Sequence, residues 1–299
     1  MKIGYIGFGE AAYEIASGLK EEGIKDFKAF DPMWDHPKYG KLVLERMKNA
    51  DVALCEQSSE VLEASDVVIV AVPADKAYEV SEMLYPDLKP DTLYIDVAAS
   101  TPKVKFDISE LVEKRGVTFV DAAMMGPLPI YKHKVPILAS GSGTEVFINK
   151  MTPYHMNITQ VGKRGGDASA VKLIRSVFMK GLAQLFIETL EAANHFEVEK
   201  LVIDSISETM DSNGLEKMMN RLVTGTAVHS ERRSIELQGS IDMLLVSNLD
   251  ASMSKVTKEK LNRITEKNLK EKFNGQVPSS WEEVIEALNE SPINSVINS

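Results

Sequence analysis

Lys2-Ile3-Gly4-Tyr5-Ile6-Gly7-Phe8-Gly9-Glu10-Ala11-Ala12 reads as a short β-strand that runs into a glycine-rich turn and then a helix. Gly7, Gly9 and Ala12 form a G-x-G-x-x-A pattern. The first glycine allows a tight exit from the strand. The second lets a pyrophosphate approach the backbone, and the small third residue lets the helix pack on the strand. The helix N-terminus offers free N–H groups and the positive end of its dipole to phosphates. A glycine triplet alone also suits an ordinary tight turn, but here the context strengthens it. Lys28-Ala29-Phe30-Asp31 reads as a second strand ending in an acid, about 20 residues on, where a ribose hydroxyl is bound in such sites. The expected cofactor-binding residues are therefore Gly7, Phe8, Gly9, Glu10, Ala11, Ala12 and Asp31. A carboxylate at Asp31 repels the 2′-phosphate of NADP and favours NAD, while the nearby Lys38 and Lys41 keep NADP open.

Working outward, strands are expected at Lys2–Ile6, Lys28–Phe30, Val67–Val72, Leu93–Val97, Thr118–Val120 and Ile137–Ser140. Helical spacing lies between them, with Ala12, Ile15, Ala16 and Leu19 on one face and Ala77, Val80 and Leu84 on another. Strand–helix alternation with continuous apolar strands implies a parallel sheet covered on both faces. Pro73 ends the Val67–Val72 strand and opens a loop at a ligand-binding position of such sheets.

From Asp167 onward no strand is evident. Val171, Ile174, Phe178, Leu182, Leu185 and Ala192 repeat through one helix of roughly 28 residues, long enough to link two domains. Further helices are expected at 197–210, 229–249, 251–272 and 280–289, the last capped by Ser279-Ser280, with a frayed tail from Asn289. The domains expected are 1–164, a doubly wound α/β cofactor domain, and 165–299, an all-α domain joined to it by the long interdomain helix.

The chain has 299 residues, 44% hydrophobic and 26% charged, as an ordinary globular protein does. Its net charge of −10 argues against broad nucleic-acid binding, so an anionic substrate needs a local cluster of positive charge. The longest apolar run, Val67–Val72, is far short of the roughly 20 residues of a membrane helix. The N-terminal stretch, broken by glycines and Glu10, does not read as a signal peptide. The one cysteine, Cys55, fits a reducing cytoplasm and excludes a disulfide. His36, His133, His155 and His195 have no metal-ligand spacing, so no metal site is expected.

Four stretches resemble the β-hydroxyacid dehydrogenases, the group that includes 6-phosphogluconate and 3-hydroxyisobutyrate dehydrogenases. They are Gly7-x-Gly9-x-x-Ala12, Val72-Pro73-Ala74, Asp121-Ala122-Ala123-Met124-Met125-Gly126-Pro127, and Gly162-Lys163-Arg164-Gly165-Gly166 running on to Lys172. The resemblance implies a Rossmann-type cofactor domain, Val72, Pro73 and Ala74 as further cofactor contacts, and Lys172 as the catalytic lysine. It implies a substrate loop at Met125, Gly126 and Pro127, and a substrate contact at Ser176. The family's loop serine and second glycine are replaced by Met125 and Pro127, and its asparagine by Ser176, so the chemistry carries over better than the substrate. The second half looks more like an uncharacterised 6-phosphogluconate dehydrogenase-like branch.

Oxidation of an alcohol by a nicotinamide requires a base for the hydroxyl proton. A free lysine titrates near ~10.4, too high for this task, and burial beside a positive ring lowers it. Lys172 is either that base or a solvated helix lysine; its place just after a glycine-rich turn on an apolar helix favours the base. Gly126 lies either in a turn whose N–H groups hold a carboxylate, or in a structural turn stiffened by Pro127 and Pro129. His229, Arg232, Arg233 and Glu236 share one helix face, either as an anion clamp or as a surface stripe paired with Glu231 and Glu236.

These readings converge on an NAD(P)-dependent dehydrogenase of a small anionic 3-hydroxy acid, in a homodimer or higher oligomer. Two alternatives stand beside it. One is an imine or pyrroline-carboxylate reductase, whose relatives generally lack the lysine at Lys172. The other is a non-catalytic sensor of nicotinamide redox state.

Overall fold

The computed structural model describes residues 1–290. Two compact units divide between Val177 and Phe178. The glycine turn at 162–166 precedes the helix in which that division falls.

The first unit alternates strands and helices: β1 (Ile3–Ile6), α1 (Glu10–Glu21), β2 (Phe27–Phe30), α2 (Gly40–Ala50), β3 (Ala53–Leu54), α3 (Ser58–Ala64), β4 (Val67–Val70), α4 (Ala77–Leu84), β5 (Leu93–Asp96), α5 (Pro102–Val112), β6 (Thr118–Met124), α6 (Leu128–Tyr131), β7 (Ile137–Ser140), α7 (Thr144–Met151) and β8 (Ile158–Gln160). The eight strands form one sheet in the order β3-β2-β1-β4-β5-β6-β7-β8. The first six follow the doubly wound dinucleotide-binding order, with the change of direction between β1 and β4. The sheet is mixed rather than wholly parallel, because β7 runs antiparallel to β6. Strands β1 and β4 are buried along their whole length, which is why their sequences are continuous apolar runs, and β5 is equally buried although it ends in Asp96. Helix α1 buries Ala12, Ile15, Ala16 and Leu19, the face its spacing predicts.

Helix α8 (Asp167–His195) crosses from the first unit into the second. The second unit is all-helical: α9 (Glu199–Asp211), α10 (Leu215–Val246), α11 (Ser252–Glu266), α12 (Leu269–Lys272) and α13 (Trp281–Glu290). Ala227, Leu269, Val284 and Ala287 form one small core there, and Ile241, Leu244 and Ala251 another. Helix α10 begins fourteen residues before the expected start at 229, which is instead a kink: His229 has φ −113° and ψ 16°. The single helix expected at 251–272 is two, broken where Asn268 takes a left-handed φ of 52°. The first N–H of α13 is received by Asn220 Oδ1 at 2.7 Å, a cap from another helix rather than from Ser279-Ser280. Asn289 and Glu290 close α13 as helix, and the rest of the expected tail lies outside the described residues. The buried Glu188 of α8 accepts the Met253 and Ser254 N–H groups at 2.8 and 3.0 Å, so a remote carboxylate caps α11. Among the described residues, no helix is long and apolar enough to cross a membrane.

Candidate active site

Pairing of β1 with β2 and β4 brings the glycine turn, Asp31 and the Val72-Pro73-Ala74 loop to the same end of the sheet. Gly7 donates its N–H to Phe30 O at 2.8 Å, with φ at +82°. A Cβ on Gly7 would lie 2.6 Å from Ala71 O, so both conformation and space require glycine. Gly9 is different. A Cβ there would meet nothing within 4 Å, which leaves the backbone open to a ligand. Helix α1 starts with Gly9 and no side-chain cap, so the N–H groups of Glu10, Ala11 and Ala12 remain for an anion. These features fit a dinucleotide pyrophosphate.

Phe8 points away from this opening. Its ring is fully buried, edge-on to Tyr5. Its N–H goes to Asp31 Oδ2 at 2.7 Å, while Asp31 Oδ1 accepts the Met33 N–H at 2.8 Å. Asp31 therefore ties the glycine turn to the end of β2, and each oxygen keeps a second lone pair for a further donor. Val72 is half-buried, Pro73 and Ala74 are exposed, and Ser100 donates its hydroxyl to Ala74 O at 2.9 Å.

Lys172 sits in the first turns of α8, half-buried. The glycine turn before it is shaped by close contact: a Cβ on Gly166 would lie 2.4 Å from Pro102 O, and φ there is +102°. The first N–H groups of α8 are taken by the sheet. Ser140 Oγ accepts the Ala168 N–H at 3.0 Å. Asp121 accepts the Ser169 N–H and hydroxyl, each at 2.8 Å.

Beneath this lies a cluster that sequence reading missed. Asp96, Asp121 and Ser140 are aligned across β5, β6 and β7. Lys105 of α5 reaches them with no exposure, its Nζ 2.9 Å from Asp96 Oδ1 and 3.6 Å from Asp121 Oδ1. Nζ also donates to Asp96 O at 3.0 Å. Burial pushes the Asp96 carboxyl up, with Lys105 opposing. Burial, then the Lys105 ammonium, hold Lys172 below the ordinary lysine value, and Asp121 opposes them. The available signal was Lys105 itself, a charged residue on the 105/108/109/112 stripe that α5 otherwise buries with Ile108, Ser109 and Val112.

In the loop expected to meet substrate, Met125 gives its N–H to Pro136 O at 2.8 Å, extending the β6–β7 pairing. Gly126 follows, packed near Val135 and Tyr131, and Pro127 precedes α6. Ser176 is half-buried, one turn past Lys172. His229, Arg232 and Arg233 belong to the second unit. The kink at His229 interrupts the expected regular stripe, and the arginines part company. Arg232 extends outward beside Glu236 at 3.5 Å. Arg233 turns back on its own helix, donating to Thr226 Oγ1 and, at 3.4 Å, to Leu222 O.

Comparison with known proteins matches this description. Residues 2–154, just over half the chain, match the model of the NAD-binding domain of 6-phosphogluconate dehydrogenase. Residues 193–264 match a domain of unknown function, DUF1932. An uncharacterised 28.5 kDa protein of Methanothermus fervidus is 26% identical over 266 residues, covering 89% of this chain and 100% of its own. A solved conserved protein of unknown function, described as structurally similar to 3-hydroxyacid dehydrogenases, is 28% identical with a TM-score of 0.61, covering 92% of this chain and 100% of its own. An imine reductase from Bacillus cereus shares the fold at 15% identity, with a TM-score of 0.74 over 97% of this chain and 99% of its own. The chain belongs to the family of NAD(P)-binding oxidoreductases defined by the NAD-binding domain of 6-phosphogluconate dehydrogenase.

Proposed function

We propose that the protein is an NAD(P)-dependent dehydrogenase that oxidises the CH–OH group of a small 3-hydroxy acid, with Lys172 as general acid and base. The reading is supported most by Lys172 itself: half-buried at the start of α8 and held below the ordinary lysine value by burial and the Lys105 ammonium. A lysine whose proton affinity is lowered in this way accepts a hydroxyl proton more readily than a fully solvated one. The nicotinamide, when bound, supplies the hydride acceptor. Gly9 and the first N–H groups of α1 hold the pyrophosphate, and Asp31 receives a ribose hydroxyl, which favours NAD over NADP. The Gly126 N–H, which has no backbone acceptor among the described residues, is the donor assigned to a substrate carboxylate, with Met125, Pro127 and Ser176 shaping the pocket. Arg232, tied among the described residues only by an exposed pair, is freer than Arg233 to meet an anion beside His229.

The working unit is read as a homo-oligomer. Helix α9 buries none of its side chains, and Leu201 and Ile203 are among its exposed residues. A second copy is the simplest cover for such a face, and sedimentation as a monomer at micromolar concentration would contradict it.

The imine-reductase likeness is one of fold. The test is a titration with NADH and NADPH, run beside a screen of 3-hydroxy acids and cyclic imines for change in reduced nicotinamide. Turnover of a hydroxy acid supports the dehydrogenase. Turnover of imines alone would replace it, and binding without any turnover would favour a sensor.

A further inference from the structure

We propose that Lys105 is a positioning residue for proton transfer: its buried ammonium, locked between Asp96 and Asp121 under the start of α8, fixes the turn that carries Lys172 and sets the charge beneath it. The proposal rests on the reading of Lys172 as the proton-transfer group.

The physical chain is continuous. Asp121 Oδ1 accepts the Ser169 hydroxyl at 2.8 Å and lies 3.6 Å from Lys105 Nζ. Ser169 is three residues before Lys172, so the two are neighbours on one helix face. The charged groups acting on Lys172 are thus Lys105 from α5 and Asp121 from β6, with Asp96 of β5 acting through Lys105. Two carboxylates and one ammonium share this dry site, and among the described residues Asp96 Oδ2 has no hydrogen-bond partner. A buried ion set of this kind is weak as a stabilising device, because desolvation offsets most of the attraction. Its position under a second lysine gives it another use. The Lys105 ammonium disfavours an added proton on Lys172 and the Asp121 carboxylate favours it, so the proton affinity of Lys172 depends on keeping this charge set intact. Burial of Lys172 acts in the same direction as the ammonium.

The test measures the proton affinity of Lys172 directly in the full-length protein. Competitive acylation with acetic anhydride over a range of pH, read by peptide mass spectrometry, gives the midpoint for Lys172 without any substrate. In the wild type the midpoint should fall below the free-lysine value. Lys105→Met removes the repelling charge and should raise it by about one pH unit or more. Lys105→Arg, which keeps the charge, should leave it close to wild type. Circular dichroism establishes that each variant is folded. If Lys105→Met does not fold, the double variant Asp96→Asn/Lys105→Met balances the lost charge and should show the same upward shift. An unchanged midpoint in a folded variant lacking the Lys105 charge overturns the proposal, because a purely structural lysine predicts no change. A shifted midpoint in a protein that turns over no hydroxy acid would uphold this coupling while refuting the dehydrogenase reading. Turnover with an unshifted midpoint would do the reverse.

Discussion

Asp121 in β6 accepts both the main-chain N–H and the hydroxyl of Ser169, each at 2.8 Å, and so caps the helix that carries Lys172. The carboxylate is wholly buried, and Ser169 is 4% exposed, so water does not replace either bond. Ser169→Ala removes the hydroxyl bond and should destabilise the protein by about 1.5–3 kcal/mol, the range for bonds to charged groups. Urea unfolding of the variant measures this. A loss below about 0.5 kcal/mol would mean that the cap is marginal.

The two glycines of the turn should separate structure from binding. Gly7→Ala forces a side chain into a left-handed conformation and against Ala71 O, so it should lower stability by about 1–2 kcal/mol or more. Gly9→Ala meets open space, so its stability should stay within about 0.5 kcal/mol while NADH affinity falls about tenfold or more. Thermal unfolding and fluorescence titration of both variants check the split. Unimpaired NADH binding by Gly9→Ala would place the pyrophosphate elsewhere.

Asp31 has two tasks, and Asn separates them. The amide oxygen accepts one of the two N–H bonds from Phe8 and Met33, while the negative charge is lost. Asp31→Asn should therefore weaken NADH binding and narrow its advantage over NADPH. An unchanged ratio of the two dissociation constants would show that the carboxylate does not face the ribose.

His133 gives a pH dependence of stability. It is buried against α1, with Nε2 3.4 Å from Glu22 Oε1 and so close to Gly18 that a Cβ there would lie 1.9 Å from Nδ1. Burial pushes its imidazole below the ordinary histidine value, with Glu22 opposing. Between the unfolded value near ~6.5 and the lower folded value, the unfolded chain binds more protons. Stability is therefore lost as pH falls through that window. Denaturant unfolding at pH 7 and pH 5 should show a smaller difference in His133→Asn than in the wild type. An equal difference would remove His133 from the acid response.

The legible parts of the sequence were those fixed by local spacing. Gly7, Gly9, Ala12 and Asp31 stand at set intervals around one turn, and the apolar repeat announces α8 at nearly its full length of 29 residues. Strands β3 and β8, two and three residues at the sheet edges, are too short to carry a period. The first part of α10 leaves Leu215, Met219 and Leu222 exposed, so it shows no clean buried face in the chain. The Asp96–Lys105–Asp121 cluster joins residues from three elements, and only strand register brings its carboxylates side by side. The divergence of Arg232 and Arg233 likewise depends on side-chain direction at the His229 kink, which spacing does not specify.

The most direct test of the account compares the wild type with Lys172→Met. It measures NADH affinity and the rate of nicotinamide reduction with a 3-hydroxy acid that the wild type oxidises. Cofactor affinity should stay within about twofold and the rate should fall by about 10² or more, the usual contribution of a general acid–base group. Full turnover in Lys172→Met would contradict it.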